Sequence, residues 1–242
     1  MTTSTEQLPL VPLRGGVEIP QLGFGVFQIP PRDTAEVTTR ALLAGYRHID
    51  TAAAYGNEAG VGQAIHAAGL QRDEVFVTTK CFNDHHGYDQ ATRALKASLQ
   101  QLEMEHVDLY LIHWPVPSQD LFVETWKALI DAQQAGLARA IGVSNFQPAH
   151  LERIIAETMT VNLGSRGVAE TGVTPAVNQV ELHPHFQQAG LRHEHDELGI
   201  VTEAWSPLAQ GRVLHEPVLV ELGKAHGKTP GQVVLRWHLQ LG

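Results

Sequence analysis

Four side chains that can hold or transfer a proton occupy comparable places in the chain. They are Asp50, Tyr55, Lys80 and His113, and each lies at or just past the C-terminal end of a predicted strand. These strands are consecutive, and a barrel of alternating strands and helices assembles its active site at those strand ends. A carboxylate, a phenol, an amine and an imidazole converging on one place favour an enzyme that moves a proton.

Tyr55 is the candidate acid of this set. A free tyrosine has a pKa of about 10, which is high for a proton donor at neutral pH. A neighbouring Lys80 ammonium would lower the pKa of Tyr55 by stabilising the phenolate, and Asp50 would keep Lys80 charged and in place. His113 would hydrogen-bond a substrate carbonyl. The combination suits protonation of an oxygen that becomes an alcohol while a hydride reaches the carbon.

The elements that must position these residues alternate between strand and helix. A hairpin is predicted over residues 8–20, with its turn at Gly15 and Gly16. Seven near-continuous apolar strands follow, separated by amphipathic helices. Asp33 is predicted to cap the first of these helices and Thr229 the last. The strands are predicted at 22–27, 46–52, 74–80, 107–114, 138–144, 176–182 and 200–206. This alternation predicts an α/β fold with a parallel sheet covered by helices.

Two architectures satisfy that pattern, a closed barrel and an open doubly wound sheet. The open sheet would carry a G-x-G-x-x-G fingerprint after its first strand. Gly23 and Gly25 are instead followed by Gln28 where the third glycine would stand. The (β/α)8 barrel is therefore the predicted fold.

Composition narrows the class of protein further. The 242 residues are 43% hydrophobic and 18% charged, which predicts one globular domain over residues 1–242. A formal net charge of -9 argues against nucleic-acid or anionic-membrane partners. The single cysteine, Cys81, fits a reducing cytoplasm. The chain start is unlike a secretory signal, and no apolar run approaches the ~20 residues of a membrane span.

Two His-x-His pairs raise the alternative of a metal site. His183 and His185 flank a proline, and His193 and His195 lie on a predicted helix. Residues i and i+2 share a face in a strand but not in a helix, so the second pair is a poor chelate. It stands among acidic residues on a predicted solvated face. We predict no metal site here, and a metal-dependent barrel hydrolase is the least favoured function.

Several longer segments resemble the signature segments of the aldo-keto reductases, in order and in spacing. They are GYRHIDTAAAYGNE, VFVTTK, DLYLIHWP, IGVSNF, AVNQVELHP and AWSPLAQG. They look like those of the bacterial group that contains 2,5-diketo-D-gluconate reductases. The resemblance implies an NADPH-dependent reductase of small carbonyl compounds on a TIM barrel, with NADH also possible. It makes Tyr55 the proton donor and Asp50, Lys80 and His113 its partners.

The same resemblance implies further roles, position by position. Ser144, Asn145 and Gln179 would bind the carboxamide of the nicotinamide, and Trp205 would stack on its ring. A loop would cover the pyrophosphate, and two aromatic side chains would line the substrate pocket. The loop residues are Ser206, Leu208, Gln210 and Gly211, and the pocket residues are Phe27 and Trp114, beside His113. By the same likeness the protein is expected to be a monomer.

The chain departs from the family pattern in two places. The family has one further strand–helix unit after the position of Gly242, which carries the residues that bind the adenosine 2′-phosphate. Without it the first and last sheet strands would keep unpaired edges, so we expect lower stability, weaker NADPH binding and a tendency to associate.

Residues 159–171 look like an insertion, because the triplet AET stands at 156–158 and again at 169–171. We expect a tolerated surface loop far from the chemistry.

The intact set of four residues favours an active reductase over the remaining alternative. That alternative is a catalytically impaired nicotinamide-binding accessory module, which the departure after Gly242 would favour.

Overall fold

The central feature of the fold is a seven-stranded parallel sheet. The computed structural model describes residues 9–159 and 173–242. The strands follow one another in space in chain order, as βαβ units with short connections require. Their bounds are β3 (Phe24–Gly25), β4 (His48–Asp50), β5 (Phe76–Cys81), β6 (Val107–Ile112), β7 (Ala138–Ser144), β8 (Val177–Glu181) and β9 (Val201–Trp205). The predicted α/β class and parallel sheet are confirmed.

Ahead of the sheet lies a two-stranded antiparallel hairpin of β1 (Leu10–Pro12) and β2 (Glu18–Pro20). Its turn uses positive φ angles at Gly15 and Gly16, 92° and 81°, which glycine adopts without steric cost. Apolar hairpin side chains such as Leu13 and Ile19 are buried in one cluster with residues of the sheet. Phe76 and Ala176 belong to that cluster and lie where β5 and β8 begin. The hairpin therefore covers the N-terminal end of the strands.

Several helices pack along the outside of the sheet and bury an apolar stripe. In α3 (Tyr88–Leu102), Leu95, Leu99 and Leu102 are buried, and in α4 (Phe122–Gln134) Trp126 is fully buried. The helices are α1 (Pro31–Leu43), α2 (Glu58–Ala67), α3 (Tyr88–Leu102), α4 (Phe122–Gln134), α5 (Pro148–Met159), α6 (Ala189–Leu198), α7 (Pro217–His226) and α8 (Pro230–Leu241). No helix in the described ranges is long and apolar enough to cross a membrane.

Two predicted helix starts have different outcomes. Thr229 caps α8 as expected, since its Oγ1 accepts a hydrogen bond from the backbone N–H of Gln232 at 3.2 Å. The prediction that Asp33 caps α1 is wrong. The helix begins at Pro31, directly after Pro30, and Asp33 lies inside its first turn. A proline is well suited to a first helical position because its φ is preset, which moves the start upstream.

The sheet is curled, because residues from both of its end strands line one cavity. Gly25 of β3 and Glu203 of β9 both contribute to that cavity. Within the described residues, β3 and β9 are the two terminal strands of the hydrogen-bonded order.

The predicted insertion at 159–171 falls, apart from the backbone of Met159, outside the described residues. The residues on either side of it lie close together. Thr158 Oγ1 accepts a hydrogen bond from the backbone N–H of Val173 at 3.2 Å. The Val173 carbonyl in turn accepts from the indole N–H of Trp126 at 3.1 Å. The chain therefore leaves α5 and returns at adjacent points.

Candidate active site

A buried ion pair forms the base of the candidate site. Asp50 is the last residue of β4, and Lys80 lies on the neighbouring β5. Lys80 Nζ donates to Asp50 Oδ1 at 2.6 Å and to the Thr51 carbonyl at 2.9 Å. The Lys80 side chain is fully buried, while 15% of the Asp50 side chain is exposed. Adjacent parallel strands thus bring the predicted acid and amine together.

Tyr55 sits above this pair on a short 3-10 turn, Ala53–Tyr55, that follows β4. The Lys80 ammonium lies 5.3 Å from the centre of the Tyr55 ring. Asn57 holds the turn in place, because its Oδ1 accepts from Thr51 Oγ1 at 2.8 Å and its Nδ2 donates to the Val26 carbonyl at 3.0 Å. Sequence reasoning did not single out Asn57, although a buried asparagine beside a candidate acid must find such partners.

Burial and charge act in opposite directions on the pKa of Tyr55. Burial raises it, the Lys80 ammonium lowers it, and the Asp50 carboxylate raises it again. The net pKa is higher than the ordinary value, so the expectation that Lys80 alone would make the phenol more acidic is only partly right. For Lys80, burial lowers the pKa, but Asp50 and Tyr55 outweigh it and raise the pKa overall. Lys80 is therefore charged at neutral pH.

His113 faces Tyr55 from the end of β6. Its ring centre is 5.7 Å from that of Tyr55 and 5.7 Å from that of Phe82, both edge to face. Burial, with help from the Lys80 charge, lowers the pKa of His113 to about 4. The imidazole is therefore neutral at physiological pH and carries one N–H donor. Its buried Nδ1 has no hydrogen-bond partner among the described residues.

These residues open into a cavity of about 990 Å³. The volume lies in the range of sites for cofactors and small molecules. Phe27 and Trp114 line it and are exposed by 60% and 43%, as apolar walls open to solvent. The Phe27 ring lies 5.0 Å from that of Tyr55.

The residues expected to bind a nicotinamide line the same cavity and are already joined to one another. Asn145 Nδ2 donates to Ser144 Oγ at 3.0 Å, and its Oδ1 accepts from the Trp205 indole N–H at 2.9 Å. Ser144 Oγ donates to the Gln179 carbonyl at 2.9 Å. Gln179 Nε2 donates to Asp50 Oδ2 at 2.8 Å. The Gln179 amide therefore links this group to the ion pair.

The predicted loop after β9 divides into two parts. Ser206 lines the cavity. Leu208 packs with the apolar cluster under α7 and α8, away from the cavity wall. Gln210 and Gly211 form a turn with positive φ angles of 54° and 87° and are not among the cavity-lining residues. The structure thus brings Ser206, but not Leu208, Gln210 or Gly211, to the cavity in this conformation.

Two ionisable residues that sequence reasoning missed line the same cavity. Glu203 of β9 is opposite Gln179 in the strand register, and His48 of β4 is two residues before Asp50. His48 Nε2 lies 3.9 Å from Glu203 Oε1 and shares a hydrogen bond of 2.9 Å with Thr78 Oγ1. A charged residue in the middle of an otherwise uncharged strand was the available signal for Glu203.

The His-x-His pairs differ from expectation. His193 is exposed, but His195 is fully buried and not on a solvated face. Its Nε2 lies 2.9 Å from Asn178 Nδ2 and its Nδ1 2.8 Å from Thr202 Oγ1, so the polar ring is satisfied inside the fold. Residues 9–159 and 173–242 contain no group of three or more metal-ligating side chains that could hold an ion.

Comparison with known proteins identifies the family. Residues 21–241 match the sequence profile of the Aldo/keto reductase family. The chain is 50% identical to an aldo-keto reductase of Mycobacterium sp. strain KMS over 97% of its length and 80% of that protein. It is 46% identical to methylglyoxal reductase DkgA of Escherichia coli K12, covering 96% of the chain and 80% of that protein.

A solved structure is similar as well. A mutant of Gox0644, crystallised in complex with NADPH, superposes with a TM-score of 0.89 at 45% identity. The match covers 98% of this chain and 81% of that one. The chain therefore belongs to the aldo-keto reductase family, which confirms the expectation of an NAD(P)H-dependent oxidoreductase.

Proposed function

We propose that the protein reduces small aldehydes and ketones, of the dicarbonyl or keto-sugar type, with NADPH as reductant and Tyr55 as proton donor. The observation that carries the proposal is the stack of Tyr55 over the buried Lys80–Asp50 pair, with His113 on the same cavity. The dicarbonyl preference is supported by the 46% identity to an enzyme named methylglyoxal reductase.

The donor set on the cavity wall fits a nicotinamide. A carboxamide needs one acceptor and one donor, and the side chains of Ser144, Asn145 and Gln179 supply both. The Trp205 indole, which is held by Asn145 at 2.9 Å, offers a flat face for a heteroaromatic ring. NADPH is proposed over NADH because the similar Gox0644 structure carries NADPH. When bound, it supplies the hydride that reaches the carbonyl carbon.

Side chains of this protein orient the substrate carbonyl oxygen and donate a proton to it. The neutral His113 donates a hydrogen bond to the substrate carbonyl oxygen and orients it toward Tyr55. Tyr55 transfers its phenolic proton to that oxygen as the negative charge develops. The Lys80 ammonium then stabilises the phenolate, and Asp50 keeps Lys80 protonated. Phe27 and Trp114 exclude water from one side of the substrate.

The test is the Tyr55→Phe variant assayed with NADPH and methylglyoxal. Loss of the phenolic proton should lower turnover by roughly 10²–10⁴-fold. Cofactor binding, followed by quenching of tryptophan fluorescence, should stay within about twofold, because the ring remains in place. The quenching itself should fall in Trp205→Phe, and a parallel titration with NADH measures the cofactor preference.

Tyr88→Phe is the matched control, since it removes a phenolic oxygen at an exposed position where the hydroxyl donates to Asp131. Near-normal turnover in Tyr55→Phe would refute the role of Tyr55. Absence of quenching by either nucleotide, in a chain shown to be folded, would refute the proposed activity itself.

A further inference from the structure

Glu203 is a carboxyl group on the active-site cavity to which the proposed mechanism gives no task. It lies on β9 directly opposite Gln179 of β8 and lines the active-site cavity. Its side chain is 19% exposed, and its Oε2 is buried with no hydrogen-bond partner among the described residues. An unpartnered buried carboxylate oxygen is costly for stability, and this cost indicates that Glu203 has a functional role.

The Gln179 amide connects Glu203 to the ion pair beneath Tyr55. Gln179 Nε2 donates to Asp50 Oδ2 at 2.8 Å, and Glu203 lies beside Gln179 in the strand register, where the Gln179 side chain favours the charged form of the carboxyl. Asp50 uses its other oxygen, Oδ1, for Lys80 at 2.6 Å. The chain of contacts therefore runs from Glu203 through Gln179 and Asp50 to Lys80, and Lys80 lies under the Tyr55 ring.

We propose that Glu203 is a positioning residue of the reduction: through Gln179 it holds Asp50 and Lys80 in place, and its state of protonation sets how readily Tyr55 releases its proton. This inference rests on the proposed function, since it needs Tyr55 to be the acid.

The titratable groups around Glu203 give the direction of the effect. They are His48 and Asp50 from β4, Lys80 from β5, and Tyr55 from the turn after β4. Burial lowers the pKa of His48 to about 4, so among these four only Lys80 is cationic at neutral pH. An ionised Glu203 places a second negative charge beside that one cation and raises the pKa of Tyr55.

The pH at which this happens follows from burial. Burial and the Asp50 carboxylate raise the pKa of Glu203 to about 7, against the Lys80 charge and the Gln179 hydrogen bond. Below that pH the Glu203 carboxyl is neutral, and the Lys80 ammonium stabilises the Tyr55 phenolate more strongly. Above it the carboxylate competes for Lys80, Tyr55 becomes a weaker acid, and turnover declines.

The experiment compares turnover of the wild-type chain and Glu203→Gln between about pH 6 and pH 8, the window around the shifted pKa. Glutamine keeps the size of the side chain and an oxygen that can accept a hydrogen bond, but it cannot ionise. Wild-type kcat should decline about threefold or more across the window while KM changes little. Glu203→Gln should show a flat profile and bind NADPH within about twofold of the wild type. The control is Glu197→Gln, which makes the same change at an exposed helix position paired with His193.

A wild-type profile that is flat, or a Glu203→Gln profile that declines like the wild type, would overturn the inference. Infrared spectroscopy provides a readout that needs neither turnover nor a well-folded variant. A protonated carboxyl band that disappears from the wild-type spectrum across the same window supports the inference, and absence of such a band overturns it. Failure of the proposed function would instead show as a turnover that Tyr55→Phe leaves unchanged, so the two failures are distinguishable.

Discussion

Replacing Asp50 by asparagine removes the negative charge that balances the fully buried Lys80 ammonium. The size and shape of the side chain at position 50 stay nearly the same. In the wild type, Lys80 Nζ is 2.6 Å from Asp50 Oδ1, and none of the Lys80 side chain is exposed. In Asp50→Asn the ammonium has two ways to respond. It remains charged in a site without a full countercharge, at a cost of roughly 3–5 kcal/mol, as measured for broken buried pairs. Alternatively it loses its proton.

Loss of the Lys80 proton sets an upper limit on the decrease in the free energy of unfolding. A lysine with an unfolded pKa of about 10.4 is about 3.4 units above pH 7, so folding it neutral costs about 4.6 kcal/mol. Glu203 also lies near Lys80 and supplies part of the missing charge. The free energy of unfolding of Asp50→Asn should therefore be lower than that of the wild type by about 3 kcal/mol at pH 7.

The pH dependence distinguishes this cause from a simple packing defect. In the variant, the pKa of Lys80 is lower in the folded than in the unfolded state, so the unfolded chain binds the additional proton and stability rises with pH. The difference between variant and wild type should shrink by about 1.4 kcal/mol per pH unit once Lys80 is neutral in the fold. In the wild type the pKa of Lys80 is raised, so no such change occurs between pH 7 and its unfolded value.

Urea unfolding at several pH values measures both quantities. Asp33→Asn is the control, because it makes the same change at a half-exposed position in the first turn of α1, where Arg32 lies 3.6 Å away. It should cost no more than about 1 kcal/mol. A loss below about 1 kcal/mol in Asp50→Asn, with no dependence on pH, would refute the reasoning that a buried ammonium depends on this carboxylate.

Two further predictions concern parts of the fold away from Tyr55. Burial lowers the pKa of His195 from 6.5 to about 4, so His195→Gln should flatten the loss of stability between about pH 6.5 and pH 4, where the unfolded chain binds the extra proton. Urea midpoints at both pH values test this, and an unchanged slope would contradict it. Deleting 159–171 should leave kcat and KM within about twofold and the free energy of unfolding within about 1 kcal/mol, because Thr158 and Val173 already meet. A large loss of turnover would show that the segment reaches the active site.

The sequence was sufficient wherever one strand or one helix determines the position of a residue. The strand ends at Asp50 and Lys80 follow from apolar runs bounded by polar residues, and parallel neighbours then bring the two side chains together. The Thr229 cap follows from a local pattern of the same kind. Helix α7, which begins at Pro217 after a run of irregular turns, was not predicted. The segment before it contains a left-handed turn at Gln210 and Gly211, which no periodicity reveals.

The main limit on prediction from the sequence was set by polar residues that are buried through contacts with residues distant in the chain. His195 stands among charged residues on a helix, and only its contacts with Asn178 and Thr202 show that it points inward. Glu203 raised no prediction, because its partners Gln179 and Asp50 come from two other strands. The pKa of Tyr55 was expected to fall because of the Lys80 charge, whereas burial, which the sequence does not reveal, has the larger effect.

The two buried histidines and Glu203 have opposite effects on how stability changes with pH, because burial lowers the pKa of a base and raises the pKa of an acid. His48 and His195 are buried as neutral bases with pKa values of about 4, so protonating each of them in the fold costs about 3 kcal/mol, and stability falls by that amount per histidine as the pH falls from about 6.5 to about 4. Glu203 is buried as an acid with a pKa raised from 4.5 to about 7, so it acts in the opposite direction by a similar amount, and stability falls as the pH rises through that range. Stability of the wild-type chain should therefore change with pH less steeply than the two histidines alone require. A neutral side chain at position 203 would remove the opposing contribution and steepen the loss in acid. The same carboxyl that is proposed to modulate Tyr55 thus lowers the stability of the fold at neutral pH, as expected of a group retained for the reaction.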